Sequence, residues 1–373
     1  MAQGHGILEV GWHSSPSGKR EPPWHKAMAS WGRAGIVLLA GKRELSMAQG
    51  HGIFRGEDMG KSIIYSLLLL TILSLLPLSH FVVSGFRLQQ VADPNFDTKV
   101  ANPAYKKDGP KVLFDEAHNN FHTASGRYKP FADLIGNDGY RITPNKEKFS
   151  RDVLKGYQIL VISNALGAAQ MGAADAGNPA FTDAECDAVR DWVKDGGSLL
   201  LIADHAPMGA ANQILAQRFD VSMSKRFTVD EQNYDKESDN PGFIVYTRES
   251  GRLVDHPITR GRNASEQVNK IIAFTGQSLK GPSDSVAFMK LADTAVDVTG
   301  RDNPDPISAA GRAQGLALKF GKGRVIVMGE AGMLSAQLAG PQQMKFGMNR
   351  PGIDNRQLAL NMMHWLSGLL KEG

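Results

Sequence analysis

The sequence predicts an α/β fold with a mostly parallel central sheet covered by helices on both faces. Three observations point there. Short, continuously apolar runs of strand length recur: Lys111-Val112-Leu113-Phe114, Tyr157 to Ser163, Ser198 to Ala203 and Gly323 to Gly329. Unbroken apolar runs mark strands buried on both faces, which is the parallel-sheet pattern. Stretches of helical pattern stand between them, and that alternation is the α/β signature.

Each element has its own signal. Arg127 to Asn137 reads as a helix, with Gly136 to Gly139 punctuating its end. Thr182 is a good N-cap with Glu185 three residues on, so a capping box opens the next helix. That helix carries Val189, Trp192 and Val193 and stops at Gly196-Gly197. Asn355 to Leu370 reads as the closing helix. The segment from Phe219 to Asp305 is longer and irregular, with extra strands expected at Phe243 to Thr247 and Ser285 to Leu291. Gly315 to Gly323 reads as a turn between strands; it lacks the phosphate-loop spacing and no helix follows it.

The N-terminal part has a different character. Residues 1–58 are rich in Gly, Trp, Ser, Pro and His without a period, and Met1-Ala2-Gln3-Gly4-His5-Gly6-Ile7 recurs at Met47 to Ile53. They are expected to be an unstructured leader ahead of a start at Met59. Residues 59–85 place Lys61 before an apolar run from Ile63 to Leu76, then Phe81-Val82-Val83 and small residues at Ser84-Gly85. This reads as a secretory signal peptide or, uncleaved, as a single membrane anchor. Either puts the body outside the cytoplasm, periplasmic or otherwise extracytoplasmic. Residues 86–110 read as a polar linker and residues 111–373 as one folded domain.

Charge narrows the partners. The chain holds 42 Lys+Arg against 38 Asp+Glu, for a net charge of +4. Nine basic and five acidic residues lie at or before Arg87, so the remainder is formally neutral. A neutral body without a basic stripe argues against nucleic acid. The chain has one cysteine, Cys186, which excludes an intrachain disulfide. Its acidic neighbours Asp183, Glu185 and Asp187 would raise a thiol pKa, the opposite of activation.

In a parallel sheet, ligands bind beyond the carboxyl ends of the strands. Asp115, His118, Asn119 and His122 follow the first strand; Asp204 and His205 follow Ser198 to Ala203; Glu330 follows Gly323 to Gly329. Asp115, His118, His122, Asp204, His205 and Glu330 are the candidate catalytic residues. His118, His122, Asp204 and His205 are candidate ligands for a divalent metal such as zinc, because imidazoles and carboxylates are its ordinary donors. Asn119 and Asn355 are candidate substrate-orienting amides. The competing reading is that these groups cap helices and hydrogen-bond loop backbone.

These segments together resemble the class I glutamine amidotransferase-like superfamily. The resemblance is greatest to its exported domains near the intraflagellar-transport GIFT and gliding-motility ABC-transporter auxiliary domains. It rests on Phe181-Thr182 through Trp192 to Leu201, His256-Pro257-Ile258-Thr259-Arg260-Gly261, Gly323 to Glu330, and Asn355 to Leu366 with Asn361, Trp365 and Leu366. It covers Pro110 to the C-terminus and implies a flavodoxin-like three-layer sandwich. Amidotransferases of this superfamily place a cysteine nucleophile at the turn after the strand that ends here at Ala203. This chain has Asp204-His205, so glutaminase activity is not expected. Two functions remain: a hydrolase acting on a glycan or envelope component, with one carboxylate or imidazole activating water, or a non-catalytic domain binding a carbohydrate or an envelope protein.

Overall fold

Nine strands build the central sheet: Lys111–Asp115 (β1), Arg141–Asn145 (β2), Ile159–Ser163 (β3), Ser198–Ile202 (β4), Ser222–Met223 (β5), Leu279–Lys280 (β6), Val286–Lys290 (β7), Ala313–Phe320 (β8) and Gly323–Met328 (β9). They come from a computed structural model that describes residues 90–106, 108–300 and 305–371. The leader expected over residues 1–58 and the signal or anchor over 59–85 lie outside the described residues. Among the described residues no helix is long and apolar enough to cross a membrane.

The strand order is β2-β1-β3-β4-β9-β8-β6-β5, with β7 also paired to β8. β2, β1, β3, β4 and β9 run parallel. β8 turns back antiparallel on β9, and β5, β6 and β7 continue antiparallel. The sheet is therefore mixed, and the parallel pattern expected from the sequence describes its β2-to-β9 half. The stretch expected as a turn over Gly315 to Gly323 is mostly strand. β8 and β9 form a hairpin whose two-residue tip is Gly321-Lys322.

Alternation along the parallel strands sorts the core into two layers. Val112, Phe114, Ile159, Val161, Leu200, Ile202, Ile326 and Met328 face one side. Helices Lys129–Asn137 (α1) and Asn355–Leu366 cover them with Phe131, Leu134, Leu358 and Met362. Leu113, Leu160, Ile162, Leu199, Leu201, Val325 and Val327 face the other side. There Asp183–Lys194 contributes Val189 and Val193, and Met208–Ala216 contributes Leu215. Counting the short helices Arg151–Leu154 (α2) and Pro257–Arg260 (α5), these three are α3 (Asp183–Lys194), α4 (Met208–Ala216) and α6 (Asn355–Leu366).

The capping box expected at α3 is present: Thr182 N donates to Glu185 Oε2 at 2.9 Å, and Glu185 N to Thr182 Oγ1 at 3.3 Å. The closing helix ends at Leu366, four residues short of the expected Leu370, because Gly368 takes a left-handed φ of 81° just beyond it. Residues 90–106, expected as linker, are tied to the body. Val91–Ala92 pairs with Ala336–Ala339, Ala104 N donates to Asp138 Oδ1 at 2.7 Å, and Tyr105 Oη donates to Ser367 Oγ at 2.9 Å.

Candidate functional site

The sheet register decides which strand-end residues can meet. Ile202 in β4 is opposite Ser163 in β3 on one side and Met328 in β9 on the other. Two residues further, Asp204 and Glu330 leave their strands on the same face, because side chains two apart share a face. Neighbouring strands lie about 4.8 Å apart, so Ser163, Asp204 and Glu330 converge above three consecutive strands.

Glu330 is fully buried. Its Oε1 accepts from Gly332 N at 2.6 Å and its Oε2 from Met333 N at 2.8 Å. Burial pushes its pKa up to about 8, the Asp204 charge adds to the rise, and these backbone donors oppose it. Asp204 is partly exposed, so it forms the open side of the pair. Burial pushes it up to about 7, against hydrogen bonds from the His205 backbone and the Asn164 side chain. The space over Glu330 is closed by the backbone of Gly276. A Cβ there would sit 2.3 Å from Gly329 O and 2.7 Å from Glu330 Cβ, which only glycine avoids.

Three further groups lie around these strand ends. Tyr128 donates from its buried hydroxyl to Ala331 O at 2.6 Å. Burial raises its pKa well above the usual phenol range, the Ser163 hydrogen bond works against this, and the Glu330 and Asp204 charges add to it. The His122 ring stacks on Tyr128 with centroids 4.5 Å apart, and its Nδ1 lies 3.1 Å from Ser163 Oγ and 3.4 Å from Asn164 Nδ2. Burial, then the Arg127 charge, push His122 down to about 3, so it is neutral. His205 stacks on Phe227 at 4.1 Å, and its Nδ1 lies 2.7 Å from Ala206 O. A carbonyl only accepts, so Nδ1 carries the hydrogen and Nε2 keeps its lone pair. Burial pushes His205 down to about 4, against that backbone bond.

Asp115 and His118 belong elsewhere. Asp115 shares the parity of Leu113 and so emerges on the opposite face of β1. His118 Nδ1 lies 2.9 Å from Asp115 Oδ1, and its Nε2 lies 2.8 Å from Glu185 Oε1. The ring is wedged against Phe149 and Phe181, each 4.7 Å away between centroids. Burial works to lower its pKa, but the bonds and charges of Asp115 and Glu185 outweigh it and the net shift is upward. An ionised carboxylate only accepts, and each ring nitrogen faces one, so both nitrogens act as donors. Glu185 is equally committed: besides His118 it accepts from Phe149 N at 3.2 Å and from Thr182 N and Oγ1.

The six residues expected to share one site thus divide: Asp115 pairs with His118, Asp204 meets Glu330 with His122 beside them through Tyr128, Ser163 and Asn164, and the His205 ring lies against Phe227 and Ala206 O. The expected metal ligands do not fit a common ion. His118 has both ring nitrogens on carboxylates, and it stands with Asp115 on the face opposite Asp204. Among the described residues no group of three or more His, Cys, Asp or Glu side chains could hold a metal ion. Asn355 is not available to a substrate. It is fully buried, its Oδ1 accepts from Ile272 N at 3.1 Å, and its Nδ2 donates to Ile272 O and Met333 O. Asn119 is exposed in a left-handed turn (φ 49°), and its Nδ2 donates to Leu166 O at 3.4 Å. A shallow cleft of about 290 Å³ lies between Asp93, Asn95, Asp97, Lys345, Asn349 and Arg356, none of which belongs to the carboxyl-pair cluster.

Sequence reasoning passed over Tyr128, Ser163, Asn164 and Gln277. Ser163 ends β3 and Asn164 follows it directly, so the rule that found Asp204 and Glu330 also points to them. Tyr128 and Gln277 have no comparable signal.

No family model matches the chain, and no curated relative matches it. Among solved structures it is similar to the mmIFT52 N-terminal domain, at 15% identity over 69% of this chain and 97% of that one, TM-score 0.49. It is also similar to a thua-like protein from Bacteroides uniformis, at 12% identity over 74% of this chain and 95% of that one, TM-score 0.36. A cytoplasmic protein from Salmonella typhimurium matches at 12% identity over 69% of this chain and 98% of that one, TM-score 0.38. With TM-scores below 0.5, none of them bears on the chemistry at Asp204 and Glu330.

Proposed function

We propose that this chain is an exported, flavodoxin-like domain of the class I glutamine amidotransferase-like superfamily, of its GIFT-related branch, that lacks glutaminase activity and hydrolyses a glycan or envelope component by acid–base chemistry at Asp204 and His205. The observation that carries the reading is the meeting of Asp204 and Glu330 on one face at adjacent strand ends, with Asp204 partly exposed. A carboxyl held protonated near neutral pH is a general acid. Asp204 would give its proton to the leaving oxygen, and His205 Nε2 would take a proton from the attacking water. The bond between the substrate carbon and the leaving oxygen breaks as the water oxygen bonds to that carbon. Burial keeps Asp204 protonated, and the charge Asp204 gains on giving up its proton holds the proton on Glu330.

The test is hydrolysis of p-nitrophenyl glycosides and p-nitrophenyl acetate by the purified chain. We expect release that falls by about 10²-fold or more in Asp204→Asn and is unchanged in Cys186→Ser. Equal release by wild type and Asp204→Asn overturns the acid role. Release by neither gives precedence to the second reading, a non-catalytic carbohydrate- or protein-binding domain. That reading is favoured by the commitment of His118 and Asn355 to the fold's own polar groups.

Export is supported by the leucine-rich run after Lys61. Residues 59–90 fused to a reporter active only outside the cytoplasm should give activity; a reporter retained in the cytosol sinks this part.

A further inference from the structure

The turn after β4 is held from two directions by buried amides. Asn164 Oδ1 accepts from Asp204 N at 2.9 Å. On the other side Gln277 Nε2 donates to Ala203 O and Asp204 O, both at 2.9 Å. Asn164 is 1% and Gln277 0% exposed. Gln277 also reaches β9: its backbone N donates to Gly329 O, next to Glu330, at 2.7 Å. One residue thus grips the backbone beside both carboxyls. Its Oε1 accepts from Lys225 N at 2.8 Å, so the amide cannot rotate without losing a bond. Local sequence makes room for it: a Cβ at Gly209, in the first turn of α4, would lie 2.4 Å from Gln277 Oε1. Asn164 sits at φ 48°, a left-handed conformation that Asn tolerates better than most residues.

We infer that Asn164 and Gln277 are positioning residues, which clamp the turn after β4 and fix Asp204 relative to Glu330. Buried hydrogen bonds of this kind give a site its preorganisation. The inference rests on the acid-site reading of Asp204, but the clamp itself is a statement about geometry. The titratable groups that feel the Asp204 charge are Glu330 from β9 and Tyr128 from the start of α1; His122, from the loop after β1, touches Asn164, and the His205 backbone N donates to Asp204 Oδ1.

The experiment uses the full chain with carbon-13-labelled Asp and Glu carboxyls, titrated by NMR in wild type, Asn164→Gly and Gln277→Met. Glycine keeps the left-handed backbone while removing the amide, and methionine keeps the volume and the backbone N–H. Asn164→Gly should raise the Asp204 pKa by about one pH unit, as expected for loss of a hydrogen bond to the charged form. Gln277→Met should lower that of Glu330 as the pair separates. Folded variants with both titrations unchanged overturn the inference. Wild-type Asp204 titrating like an ordinary carboxyl sinks the acid-site reading instead. Amide exchange at Asp204 then decides the clamp, and also does so if a variant does not fold. Slow exchange in wild type, about 100-fold or more slower than an open loop, supports it; exchange at open-loop rates overturns it.

Discussion

At the end of β1 two buried carboxyls, Asp115 and Glu185, face each other through the His118 imidazole; at the ends of β4 and β9 two carboxyls, Asp204 and Glu330, meet without an ion-pair partner among the described residues. The first arrangement neutralises charge with charge. Every lone pair of Glu185 finds a donor, and the ring between the carboxyls carries the balancing proton. The second neutralises charge by protonation, because the nearest imidazoles are themselves pushed down by burial. The difference teaches where reactivity resides. A satisfied ion triad is a fastener between β1 and α3, whereas a carboxyl pair without a cation holds protons it can give away.

The largest expected effect comes from taking the cation out of the fastener. His118→Ala leaves two buried carboxyls opposed, and breaking a buried pair in this way costs about 3–5 kcal/mol. Urea denaturation followed by circular dichroism measures it. The pH dependence has a definite sign. The folded His118 pKa lies above the unfolded value of 6.5, so its contribution is complete below pH 6.5 and is lost as pH rises through the folded value. A variant as stable as wild type at pH 6 would show that the triad is not a fastener and would erase the contrast with Asp204 and Glu330.

A second experiment sharpens the other side. Asp204 and Glu330 have unfolded values of 3.8 and 4.5 and folded values near 7 and 8. Between about pH 4.5 and 7 the folded chain holds two protons the unfolded chain has released. Stability therefore falls as pH rises across that window, by about 1.4 kcal/mol per pH unit for each proton. Glu330→Gln removes one of them, so the slope should be shallower by about that amount. His118 is present in both proteins and cancels from the comparison. Unfolding curves at pH 5, 6 and 7 give the slopes; identical slopes would mean that Glu330 is ionised in the folded state.

Much of this architecture was legible from residues alone. The four apolar runs are parallel strands, and Thr182 with Glu185 forms the expected box, because burial and capping leave local marks. β2 was not legible: Arg141-Ile142-Thr143-Pro144-Asn145 is a largely exposed edge strand, where neither apolar continuity nor freedom from proline is required. β8 was hidden by its glycine and lysine content. Its Gly315 packs against Phe288 and Met289, which the local sequence does not announce. At the site, strand-end reasoning found Asp204 and Glu330 but joined Asp115 and His118 to them. Sequence position places a residue at an edge; only the parity of the strand says on which face it emerges. Leu113 and Ile202 belong to opposite core layers, and Asp115 and Asp204 inherit that difference.

The smallest expected effect concerns Cys186, which sits beside Glu185 on the fastened side. Its thiol is 1% exposed among Val189, Phe219 and their neighbours. Burial pushes its pKa up to about 12; Arg218 opposes this, and Asp183, Glu185 and Asp187 reinforce it. At pH 8 about one thiol in 10⁴ is then ionised, and the thiolate is the reactive form. Iodoacetamide at pH 8 should leave the folded chain unmodified by mass spectrometry and modify it fully in urea. Glutamine should yield no ammonia with either the wild type or Cys186→Ser. Rapid alkylation of the folded chain would mean that the first turn of α3 opens on the timescale of the reaction. That turn carries Glu185, so such opening would also release His118, and the fastened site would prove as labile as the carboxyl pair.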